Sequence, residues 1–113
     1  MQPEDFAEQE LPLLYKTKTI KRLDPNTYVF HCTTRCDGGG RVNRNMVVVA
    51  NDEKEGGELT VIDPLRITPE GERKLKRLGH VTRIVRLSGS MHAAEEDDYY
   101  LNHFPNAERW APG

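Results

Sequence analysis

His92, Glu96 and Asp97 are the side chains whose types and spacing come nearest to a reactive site in this chain. They fall in RLSGSMHAAEEDD, residues 86–98, where an apolar run gives way to an acidic one. An imidazole followed four and five positions later by carboxylates can converge with them at the start of a helix, and zinc accepts both kinds of donor. His92 and Asp97 are therefore the candidate metal ligands, and zinc is the candidate cofactor. One histidine and a few carboxylates fall short of the three or four ligands of a tightly held zinc ion, so loose binding or none is expected. A second reading needs no ligand at all. Glu95 to Asp98 would fill the first turns of a helix whose positive end favours them, with His92 beside the cap.

The other reactive side chains are more isolated. Asp63 closes the run ELTVID before Pro64; its carboxylate either orients the loop at residues 88–92 or shapes the turn, and both roles can hold together. Cys32 and Cys36 in HCTTRC are too few for a disulfide framework and lack the spacing of a CxxC pair, which leaves a strand-end thiol and a loop thiol. His31, His80 and His103 read as structural or solvated. Ser90 in SGSMH has no GxSxG context, so no nucleophilic serine is indicated. CDGGGR lacks the lysine and Ser/Thr that a phosphate-cradling loop requires and reads as a flexible loop.

The elements that must position these residues are legible from punctuation and periodicity. Residues 1–14 read as a loose acidic arm, and residues 15–113 are expected to form a single domain. YKTKTIKRLDPNTYVFHCT reads as a β-hairpin around Asp24-Pro25-Asn26, since Pro presets φ and Asx side chains bond their own backbone. NMVVVA is a nearly continuous β-branched run, expected to be buried on both faces, and LTVID returns after the charged tip NDEKEGG as a second hairpin. Thr68 can cap a helix that begins at Pro69, with Glu70 and Glu72 complementing its dipole and Gly79 ending it. HVTRIVRL gives a strand, AAEEDDYYLNHF a second helix with Tyr100 and Phe104 on one face, and AERWAP a short last strand. The second half thus runs β-α-β-α-β, the order of an α/β layer.

At 113 residues the chain suits one core but not two. Sixteen Lys and Arg against eighteen Asp and Glu leave no footprint for non-specific nucleic-acid or membrane binding. Charge is uneven locally: the stretch Arg66–Arg86 is rich in Lys and Arg and reads as a solvated rim, whereas Leu87–Phe104 has four acidic residues and no Lys or Arg. The longest apolar run, Met46–Ala50, is far below the roughly 20 residues of a membrane span, and the N-terminus has no secretory order. No nucleic acid, no membrane and a cytoplasmic location are expected.

LTVIDPLRITPEGERKLKRLGHVTRIVRL, followed by His92 and FPNAERWAPG, resembles the N-terminal half of the metallo-β-lactamase-fold hydrolases. Asp63 matches their strand-end Asp, and Leu78-Gly79 their helix stop; the likeness covers roughly residues 42–113. It implies an α+β or α/β fold, half of an αββα sandwich, and a metal-dependent hydrolase in which a metal-bound hydroxide attacks an ester, amide or thioester. The departure lies in the loop. The family's two leading histidines fall near Ser88 and Ser90, which are poor zinc ligands, and only His92 remains near the loop's end. The chain is accordingly expected to be hydrolase-like with an incomplete metal site. The alternative is a non-catalytic binding or protein-interaction module on the same fold. A half-sandwich would also need a second copy of itself, as a homo-oligomer, or its missing second half.

Overall fold

A computed structural model describes residues 14–35, 39–51, 57–87, 89 and 93–110. The chain runs β1 (Lys16–Asp24), β2 (Thr27–Arg35), β3 (Arg41–Ala50), β4 (Glu58–Ile62), α1 (Pro69–Leu78), β5 (His80–Val85), α2 (Ala93–His103) and β6 (Glu108–Trp110). The strands form one sheet in sequence order; β1 to β4 are antiparallel neighbours, and β4, β5 and β6 are parallel.

Local chemistry accounts for the elements. Asp24 accepts the Asn26 amide at 2.8 Å, the Asx turn that closes the first hairpin. Thr68 caps α1 by accepting the Gly71 amide at 3.3 Å, with Pro69 at the first helical position, which satisfies one of the donors that a helix start leaves open. At the other end a Cβ on Gly79 would collide with the carbonyl oxygen of Gly57. That oxygen accepts the His80 amide at 2.8 Å, so glycine is required for the close approach that starts β5.

Both helices cover one face of the sheet. Phe30, Met46, Val48, Val61 and Ile84 point to them, and Leu75 of α1 and Tyr100 and Phe104 of α2 complete the core. Tyr100 is fully buried and its hydroxyl reaches Met46 Sδ at 3.0 Å. Burial pushes its phenol well above the ordinary range, so it stays protonated as a donor. An aromatic buried this completely contributes about 1.5–3 kcal/mol over leaving it exposed. Cys32 is also in this core, beside Thr17 Oγ1 at 3.7 Å; burial raises its thiol pKa and only partly yields to the Thr17 hydrogen bond, so a reactive thiolate is not favoured there. Cys36 lies outside the described residues.

The mixed α/β architecture with its β-α-β-α-β second half agrees with expectation, and one strand differs. β3 is buried on one face only: Met46 and Val48 lie under the helices, while Val47 and Val49 are half-buried on the opposite face. Register makes that face legible, since paired residues point the same way. Val29, Val47, Ile62, Val85 and Trp110 are successive partners across the sheet and form an apolar belt. Arg83 lies over the Trp110 ring at 5.4 Å at one end of it.

Candidate functional site

The carboxyl ends of β4, β5 and β6 lie side by side, the place where open parallel sheets bind ligands. Asp63 leaves β4 with φ 52°, a left-handed conformation that Asp tolerates better than most residues. It ties two strand ends together: its amide donates to Val85 O at 2.7 Å, and its Oδ1 accepts the Leu87 amide at 2.7 Å. The carboxylate therefore holds the entry of the loop that follows β5, as expected, while also sitting in the turn before Pro64. His92, Ser88 and Ser90 lie outside the described residues.

Arg86 follows directly and is the pivot of the site. Its amide donates to Trp110 O at 2.9 Å, and its side chain turns under the helices. Nη2 donates to Asp97 Oδ1 at 2.9 Å, to Pro64 O at 3.1 Å and to Glu96 Oε1 at 3.4 Å, and Nε reaches Asp97 Oδ1 at 3.3 Å. The second oxygen of each carboxylate has its own arginine. Arg109 Nε lies 3.0 Å from Asp97 Oδ2, and Arg44 Nη1 lies 3.2 Å from Glu96 Oε2. Glu96, Asp97 and Arg86 are 0%, 1% and 7% exposed. Charges so deep hold together only when well paired, because each loses several kcal/mol of hydration. The pairing fastens α2 to the ends of β4 and β5, to β3 and to β6. Arg86 Nη1 is buried without a hydrogen-bond partner.

This arrangement departs from two expectations. Arg86 is no part of a solvated rim: directly after β5 its side chain turns to the buried acids of α2. Glu96 and Asp97 do more than favour a helix start, for only Glu95 and Asp98 of the acidic run face solvent. Asp97, the candidate ligand, has both oxygens taken by guanidinium groups. To bind zinc it would have to release one, and among the described residues no group of three His, Cys, Asp or Glu is placed to hold an ion. The described donors do not fit a zinc ion. The signal in the sequence is the basic stretch that ends at Arg86 and runs into the acidic one; it marks the Arg86 pairing but neither Arg44 nor Arg109.

A second polar cluster, unforeseen from the sequence, joins the helices on their outer side. Glu72 Oε1 accepts from Tyr99 Oη at 2.9 Å and pairs with His103 Nδ1 at 2.7 Å, while Lys76 Nζ lies 3.3 Å from Oε2. Burial raises the Tyr99 pKa, and the Glu72 carboxylate raises it further. His103 borders an open cavity of about 340 Å³ with Lys76, His80 and Phe104. His31 pairs with Asn45 at 2.9 Å on the face opposite the two helices.

No protein-family model matches this chain, and no curated protein matches it closely enough to count as a relative. No helix among the described residues is long and apolar enough to cross a membrane.

Proposed function

We propose that this chain is a metallo-β-lactamase-type half-fold that works as a binding module, its hydrolytic centre replaced by an arginine–carboxylate lock. The observation that carries this reading is the engagement of both Asp97 oxygens by Arg86 and Arg109. A hydrolytic centre needs open ligands that lower the pKa of a bound water; here the nearest acids are neutralised from within the protein. The apolar belt from Val29 to Trp110 supports the choice of a binding role. It is the face on which a second copy of the chain would pack sheet on sheet.

The hydrolase reading has one observation in its favour. Asp63 grips the entry of the loop after β5 as a strand-end Asp in a metal-loop fold would. Elemental analysis of the purified chain together with sedimentation distinguishes the two. The binding module should carry zinc well below one equivalent and self-associate through the belt, with Val47→Lys returning it to monomer. One equivalent of zinc, lost on His92→Ala, would instead establish the metal site.

A further inference from the structure

The amino end of α1 adjoins a groove whose chemistry differs from everything described above. Tyr15 brings the chain against the turn before the helix, its amide donating to Arg66 O at 2.8 Å and its carbonyl accepting the Thr68 amide at 3.0 Å. A cavity of about 420 Å³ opens here, lined by eight residues, with Thr33 and Thr68 among them. Four of the eight, Lys16, Lys18, Arg35 and Arg41, are cationic. No carboxylate among the described residues borders the cavity, and none of the four cations belongs to an ion pair among those residues.

Two features of the groove cost stability as they stand. Arg35 and Arg41 are direct register partners where β2 passes into β3, and like charges placed opposite one another in a sheet repel. Thr33 is 7% exposed, and its hydroxyl is buried without a hydrogen-bond partner, an arrangement that is rare unless something outside the protein completes it. Lys18 is set apart by the bulge between Thr17 and Thr19 in β1, the kind of irregularity that re-aims a side chain. Thr68 Oγ1 accepts the Gly71 amide with one of its lone pairs and keeps its hydroxyl proton to donate. It also marks the positive end of a ten-residue helix, which favours anions.

We propose that this groove binds a small molecule through one or two phosphate groups. The anion would accept from the unpartnered Thr33 hydroxyl and from Thr68, and its charge would offset the Arg35–Arg41 repulsion. A cavity of this volume suits a small ligand. The inference does not depend on the state of Asp97 or on zinc, since the groove shares no residue with that cluster.

Calorimetric titration of the full chain with inorganic pyrophosphate, at low and at physiological salt, tests it. One saturable site is expected, weakened about tenfold or more in Arg35→Gln/Arg41→Gln, because hydrogen bonds to charged groups are the strong ones. Thr33→Val should weaken binding several-fold while leaving the melting temperature unchanged or raised, which separates a lost ligand contact from a lost fold. Lys74→Gln, on α1 outside the groove, should bind as the parent does. Absence of a saturable heat, or equal weakening in Lys74→Gln, would overturn the proposal. So would a single-stranded oligonucleotide that binds far more tightly than pyrophosphate with a steep salt dependence, since the groove would then be a nucleic-acid surface.

Discussion

Replacing Arg86 by Met isolates what the buried charge cluster contributes. The guanidinium supplies three contacts to Asp97 and Glu96 and one to Pro64 O. Met keeps much of the side-chain volume and removes every donor. Breaking a buried ion pair from one side costs about 3–5 kcal/mol, because the partner is left charged and dry. Here the loss is tempered: Arg109 still holds Asp97 Oδ2 and Arg44 still holds Glu96 Oε2. Those side chains are 48% and 27% exposed, so they compensate only in part, and the parent's own orphaned Nη1 vanishes with the substitution. The net expectation is a loss of about 3 kcal/mol. With a urea slope of roughly 1.5 kcal/mol/M, the unfolding midpoint should fall by about 2 M. The cost should shrink by about 1 kcal/mol or more in an Asp97→Asn background, since contacting residues couple. Equilibrium urea unfolding of the four chains of the cycle measures both quantities. A loss under about 1 kcal/mol, or strict additivity, would mean that the cluster behaves as a solvated surface pairing, and the reasoning from burial would be refuted.

Asp63 should tolerate Asn with little loss, because Asn keeps an acceptor for the Leu87 amide and accommodates a φ of 52°; Ala should cost about 0.5–1.5 kcal/mol by removing that exposed hydrogen bond. Thermal melts of the two variants check this, and equal losses would count against the role given to the side-chain oxygen. At Glu72, burial disfavours the charge, but hydrogen bonds from Tyr99, Lys76 and His103 outweigh it and hold the carboxyl below its ordinary value of 4.5. A lowered folded-state pKa means that the stabilisation is complete above that ordinary value and disappears as pH falls through the folded one. Unfolding free energies measured from pH 6 down to pH 2 should therefore fall less steeply in Glu72→Gln than in the parent, and parallel curves would remove Glu72 from the account.

Much of the architecture was written locally. Asp24-Pro25-Asn26 turns and Thr68-Pro69 starts a helix through interactions within a few residues, so residue type alone determined where those elements begin; Gly79 marks the helix end in the sequence, but it is the distant Gly57 carbonyl that requires glycine there. Periodicity likewise places Leu75, Tyr100 and Phe104 on core faces, whereas for strand-end Asp63 the sequence leaves two roles open, orienting the following loop or shaping the turn before Pro64. What β3 faces was another matter: a run of Val reads as doubly buried, yet whether Val47 and Val49 are covered depends on a second layer. The largest difference concerned charge. Glu96 and Asp97 beside a helix start have a sufficient local explanation, and an Arg at a strand end reads as solvated. Only the parallel placement of β4, β5 and β6 brings Arg86 beneath α2 and Arg109 alongside it, while β3 delivers Arg44 from 52 positions away in the chain. The Glu72–His103 contact, 31 positions apart, arises in the same way. Pairings of this kind depend on distances between elements that no local pattern encodes, and burial, which sets what a charge costs, exists only once the layers have packed.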